Sequence, residues 1–198
     1  RFPDMSLSNP NICSLDAADI TGNGSLDLYF VNSTSSPGSP ALDYLFVNDG
    51  TGVFTDESAT RLGDLRNSAF GTCVRIHDID GDNDLDILKS SLLVDTNPFN
   101  SQGLYILFND GSGQFSNYQN ISIQTTGTSA DAPYMFTVAD FDQNGRHEIY
   151  VVDEQDDYLL KPGAIVPDVG ITYGVEYVNL LRLNGTGGNI STIDIDLD

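Results

Sequence analysis

The sequence predicts an all-β chain made of β-propeller-type blades, each of about four short antiparallel strands, in three repeats of about 60 residues. Three observations predict this. Three acidic stretches, "DITGNGSLDLYFVN" (19–32), "DIDGDNDLDILKSS" (78–91) and "DFDQNGRHEIYVVD" (140–153), align without gaps, with first residues 59 and then 62 positions apart. A second element repeats in step with them: "LFVNDGTGVF" (45–54), "LFNDGSGQF" (107–115) and, more weakly, "LRLNGTGGNI" (181–190). The apolar residues fall in short β-rich runs, and no segment carries a helical 3.6-residue period.

Each unit reads as acidic loop, strand, variable loop, strand, hairpin, strand, variable loop, strand. The strand after the first loop is Leu26-Asp27-Leu28-Tyr29-Phe30-Val31, and that in the third loop's unit is Glu148-Ile149-Tyr150-Val151-Val152. Both are rich in the β-branched and aromatic residues that fit a pleated surface. Asn48-Asp49-Gly50 and Asn109-Asp110-Gly111 signal hairpins, because Asn, Asp and Gly accept positive φ. The variable loops span 33–43, 92–103 and 154–176. Phe2-Pro3-Asp4 matches Phe54-Thr55-Asp56, so the chain is expected to begin mid-unit. Residues 1–198 form a single repeat domain with units at about 2–52, 53–113 and 114–188. Residues 189–198 are a strand of a further or shared blade. Three blades do not close a ring. The chain is then part of a larger protein, is completed by other copies, or forms an open stack.

Composition restricts the function classes. With 29 acidic and 8 basic residues the formal net charge is −21, a field that repels nucleic acid and anionic membranes. At 39% hydrophobic residues the chain can bury a core. No apolar run reaches the length of a membrane span, so membrane insertion is not expected, and no signal peptide is visible. Cys13 and Cys73 fit one disulfide or two free thiols equally well. Asn32, Asn120, Asn184 and Asn189 each open an N-x-[ST] sequon and are glycosylation candidates if the protein is secreted; Asn23 also fits the pattern.

The acidic loops carry the chemistry. Loop one offers Asp19, Thr21, Asn23, Ser25 (by its carbonyl) and Asp27. Loop two offers Asp78, Asp80, Asp82, Asp84 and Asp86. Loop three offers Asp140, Asp142, Asn144, Arg146 (carbonyl only) and Glu148. Oxygen ligands thus recur at positions 1, 3, 5, 7 and 9. Position 6 is Gly24, Asn83 or Gly145, residue types that tolerate a left-handed turn. Such hard oxygen donors suit Ca²⁺, which takes six to eight oxygens in flexible geometry at about 2.3–2.6 Å, so up to three Ca²⁺ are expected. Mg²⁺ prefers fewer protein ligands, and zinc would want Cys or His. An EF-hand would need a glutamate at position 12 and flanking helices; Phe30, Lys89 and Val151 stand there, and the flanks are strand-like. Carboxylate count ranks the expected affinities as loop two, then three, then one.

Loops of the form D-x-D-x-D-G-x-x-D at this spacing, each followed by Leu-Asp-Leu/Ile, resemble FG-GAP/VCBS-type repeats, similar to those of integrin α-subunit propellers. "NDGTGVFTDESATRLG" resembles the linker of that repeat type. The chain departs from the pattern at Thr21, Asn83 and Glu148. The resemblance implies a calcium-binding, secreted or cell-surface module with propeller blades, seven of which usually close the ring. It implies that metal fixes the inner part of each blade and that partners bind loops on one face.

The expected function is therefore an extracellular Ca²⁺-stabilised binding or structural module. Its partner is a protein, a glycan, or copies of itself through end strands. The alternative is a glycan-binding lectin, or a non-catalytic part of a carbohydrate-active enzyme. Tyr44, Tyr105, Tyr134, Tyr158 and Tyr173 are available to grip sugars. No nucleophile elbow, Cys-His arrangement or phosphate loop is present, so no enzyme is expected. His77 and His147 are expected to be hydrogen-bonded structural residues.

Overall fold

The computed structural model describes residues 1–2, 11–33, 41–68, 70–92, 98–99, 102–121, 133–153, 157–166 and 170–177. In chain order these hold β1 (Ile12–Ala18), β2 (Asp27–Asn32), β3 (Ala41–Leu42), β4 (Tyr44–Asn48) and β5 (Phe54–Asp56). Then come helix α1 (Ser58–Leu62), a 3-10 turn (Gly63–Arg66), β6 (Asn67–Ser68), β7 (Val74–His77), β8 (Asp86–Ser91), β9 (Gly103–Asn109) and β10 (Phe115–Ile121). The last strands are β11 (Pro133–Ala139), β12 (Glu148–Asp153), β13 (Tyr158–Val166) and β14 (Gly170–Tyr177). They form three four-stranded antiparallel meanders, β1-β2-β4-β5, β7-β8-β9-β10 and β11-β12-β13-β14, plus the small pair β3-β6. The expected all-β fold of unclosed propeller-like blades is what the chain adopts. The sheets span residues 12–56, 74–121 and 133–177, so each hairpin and the strand after it stay in one sheet.

One expectation needs correction. Residues 154–176, read as a variable loop, supply β13 and β14 of the third sheet. The hairpin and strand expected at 181–198 lie outside the described residues. Helix α1 was not expected either. At five residues it is too short to show a period, yet it and the 3-10 turn insert Leu62 and Leu65 into the first core.

The sheets stack face to face through two apolar clusters. Tyr29, Val31 and Leu45 of the first sheet meet Ile87, Tyr105 and Leu107 of the second. Leu88, Leu104 and Ile106 on the opposite face of the second sheet meet Ile149, Val151 and Leu160 of the third. Period-2 alternation produces this: odd and even residues of each central strand serve different neighbours. Burying each such side chain contributes about 1.5–3 kcal/mol.

A buried ion pair crosses the first interface. Lys89 and Asp43 are both 0% exposed, and Lys89 Nζ lies 2.6 Å from Asp43 Oδ2. The ammonium also donates to the carbonyls of Leu65 (3.2 Å) and Asn67 (2.9 Å) and sits 4.5 Å from the Phe99 ring centroid. Tyr29 donates its hydroxyl to the same Asp43 oxygen (2.8 Å), and Asn32 N–H donates to the other (2.9 Å). Burial pulls the lysine down from its ordinary value, opposed by Asp43, and burial pushes the Tyr29 hydroxyl well up, with Asp43 adding to the rise.

Candidate metal centres

Each acidic loop links the first strand of a sheet to the second and folds by the same local rules. The position-1 carboxylate accepts two backbone N–H groups across the turn. Asp19 takes those of Asn23 (2.9 Å) and Gly24 (2.8 Å), Asp78 those of Gly81 (2.8 Å) and Asn83 (3.1 Å), and Asp140 those of Asn144 (3.0 Å) and Gly145 (2.9 Å). Position 5 caps position 7: Asn23, Asp82 and Asn144 accept from the N–H of Ser25, Asp84 and Arg146. The turn is left-handed at position 6, as expected, and also at position 4, where Gly22, Gly81 and Gln143 have φ of 66°, 84° and 57°. Gln143 carries a side chain in a conformation that costs L-residues roughly 1–2 kcal/mol. Gln143→Gly is expected to stabilise the protein by about 0.5–1 kcal/mol in urea unfolding. A loss of stability would show that the Gln143 side chain makes a compensating contact.

Position 9 joins loop to hairpin. Asp86, 1% exposed, accepts from Ile79 N–H (3.1 Å) through one oxygen and from Asn109 N–H (3.0 Å) through the other. Asp27, fully buried, does the same with Thr21 (3.1 Å) and Asn48 (2.9 Å). Glu148, 1% exposed, accepts from Phe141 N–H (2.8 Å). Sequence reasoning missed the roles of Asn48 and Asn109, although their hairpins repeat in step with the loops. Asn109 also donates its side-chain amide to the Leu85 carbonyl and, in the preceding sheet's loop one, to that of Ile20.

Asp78, Asp80 and Asp86 place one carboxylate oxygen each within 4.8 Å of the others, and Asp140, Asp142 and Glu148 do the same. Loop one forms no such trio among the described residues, since Thr21 and Ser25 are not carboxylates. Thr21 Oγ1 instead donates to Asp27 Oδ2 (3.1 Å), so a hydrogen bond holds loop one where the others converge three like charges. Asp82 and Asp84 stay outside the loop-two trio; Asp84 leans on the hairpin, and a Cβ at Gly111 would lie 2.7 Å from its Oδ2. Arg146 likewise turns away, donating to the Gly163 carbonyl.

The electrostatics fit a cation. Burial pushes Asp86 up to about 7, with Asp80 and Asp82 adding to the rise and N–H donors opposing it. Burial, then Asp82 and Asp78, raises Asp80. A trio of like charges with one fully buried member is costly to ionise unless positive charge joins it. Because ligand carboxylates must be deprotonated, cation affinity at loop two is expected to climb with pH up to about 7 and then level off. For the metal-free protein the sign reverses. Asp86's folded pKa lies above its unfolded value, so its contribution favours the folded state at low pH and is lost as pH rises from about 4 through 7. Calorimetric titrations across this range check both, and Asp86→Asn should flatten the two profiles.

The two histidines meet across the second interface, His77 before loop two and His147 inside loop three, with ring centroids 4.0 Å apart at 81°. His77 was expected to be hydrogen-bonded; its Nε2 is buried and has no such partner among the described residues. Burial lowers its pKa, His147 lowers it further, and Asp78 opposes both.

Other candidate residues separate by burial. Cys13 is exposed and Cys73 buried, both free, which decides against the disulfide. Asn32 is 4% exposed and donates its amide to the Leu42 carbonyl (3.2 Å), so in the fold this nitrogen is not open to a glycan as expected. Asn120 is half-buried and donates to Tyr105 Oη (3.2 Å), while Asn184 and Asn189 lie outside the described residues. Tyr105 and Tyr158 are core residues at 1% exposure and cannot grip a sugar; Tyr134 is exposed, and Tyr44 and Tyr173 are half-buried.

The family model for the FG-GAP-like repeat matches residues 19–88 and 93–151. No curated protein matches the chain. Among solved structures it is similar to a lectin from Agrocybe aegerita, described by its specific recognition of non-reducing terminal N-acetylglucosamine, at 19% identity and a TM-score of 0.47. That likeness covers 82% of this chain and 37% of the lectin chain.

Proposed function

This chain belongs to the FG-GAP-like repeat family, and from that premise we propose that it is a calcium-stabilised, propeller-like binding module working outside the cell. The observation that carries the proposal is the convergence of three carboxylates in loop two and three more in loop three, each trio within 4.8 Å. Hard oxygen donors in flexible turns favour Ca²⁺ over Mg²⁺, and neither trio includes the histidine or thiolate that a softer metal prefers. Bound there, Ca²⁺ would supply the charge that lets the trio ionise. The chain's own residues do the rest: Asp86 ties loop two to the second hairpin, and Asn109 ties that hairpin to loop one of the preceding sheet. Sites of this kind in extracellular modules bind at roughly 10⁻⁴–10⁻³ M, which suits a calcium-rich exterior. The module is proposed to hold a protein or glycan partner, or further copies of itself, through surface loops and without catalysis. Thermal unfolding tests the stabilising role. Ca²⁺ at about 100 times its Kd should add about 2.7 kcal/mol per site, and Mg²⁺ far less. Equal shifts with both ions, or none, would refute it.

A further inference from the structure

Two positions of the socket that receives Lys89, its tyrosine and its aspartate, recur in the third sheet. In the first sheet, Tyr29 and Asp43 form it, and Lys89 of the second sheet fills it. In the third sheet Tyr150 and Asp157 hold the same places, since Val151 pairs with Tyr158 as Phe30 pairs with Tyr44. Asp157 also accepts from Asp153 N–H (3.3 Å) as Asp43 accepts from Asn32 N–H (2.9 Å). Among the described residues no lysine or arginine forms an ion pair with Asp157. The face carrying Tyr150 leaves Met135 60% and Val152 40% exposed.

We propose that this outward face of the third sheet docks a further blade of the same repeat type, one presenting a lysine at the place Lys89 holds, with its ammonium seated on Tyr150 and Asp157. The two internal interfaces show the matching rule. Where the incoming residue is Lys89, it meets tyrosine and aspartate; where it is Val151, it meets Leu88 and Leu104. A second copy of this chain would present Phe30, which fits the apolar version and would leave Asp157 desolvated without a cation. The Tyr150–Asp157 pair therefore selects for a basic partner and against self-docking. This goes beyond the calcium proposal and does not depend on it.

Sedimentation velocity in Ca²⁺ tests the proposal with the chain itself as probe. Phe30→Lys places the missing lysine on the first sheet, and Phe30→Arg provides a second donor if the lysine variant does not fold, as judged by circular dichroism. The donor variant should self-associate at least about tenfold more tightly than the wild type. Adding Asp157→Asn to it should abolish the gain. Mixing that double variant with wild-type chain should restore one-to-one pairing, because the lysine of one then meets Asp157 of the other. Wild-type association as tight as the variant's, association indifferent to Asp157→Asn, or monomers throughout would overturn the proposal.

Discussion

Lys89→Met is expected to lower the unfolding free energy by about 3–5 kcal/mol. The substitution keeps the buried aliphatic volume but removes the only cation within the Asp43, Leu65 and Asn67 oxygens described around it. Asp43 is left as a carboxylate with no exposure and no counter-charge. The cost is that of the orphaned charge rather than of a lost attraction, and a second variant separates the two. Asp43→Asn combined with Lys89→Met keeps an acceptor for Asn32 N–H, offers an amide N–H that the Tyr29 oxygen can accept, and removes both charges. It should recover most of the loss, coming within about 1–2 kcal/mol of the wild type. Urea unfolding of the three proteins decides this. A single variant as stable as the wild type would mean that Asp43 carries no charge in the fold.

Asp86→Ala is expected to weaken loop-two calcium binding by about 100-fold or more, since it removes the buried member of the trio and frees the strand-to-hairpin link. It also strands the N–H groups of Ile79 and Asn109, at about 1–3 kcal/mol for each one left without water. Asp86→Asn divides these effects. It retains one acceptor oxygen, strands one N–H and removes the charge, so it should cost less metal-free stability than alanine, about 1–3 kcal/mol, and lose most of the calcium response. If the asparagine variant kept full affinity, the trio would not be the binding site.

What was legible in the sequence was what nine contiguous residues can encode. The loops are self-contained: Asp78 and Asp140 cap their own turns, and position 6 is left-handed for reasons visible in the residue type. The hairpins are equally local, with Asp49 and Asp110 capping the N–H groups of Thr51 and Ser112. The sheet count followed because these two local signals repeat in step. What was not legible depends on distance along the chain. Lys89 is the first basic residue after loop two, but Asp43 lies 46 positions away in a segment read as variable. The strands β13 and β14 were hidden for another reason. Pro162, Gly163, Pro167 and Gly170 punctuate their sequence, and pairing with Ile149, Tyr150 and Val151 overrides that local signal. Burial of Asn32 is likewise a tertiary fact, which no sequon pattern can report.

The most direct measurement is the number of calcium ions bound per chain at saturation, by equilibrium dialysis, in the wild type, Asp86→Asn, Glu148→Gln and the double variant. Two carboxylate trios predict about two ions for the wild type, about one for each single variant and none for the double. A wild-type chain that binds no calcium, or a double variant that binds as much as the wild type, would contradict the assignment of loops two and three as the metal centres.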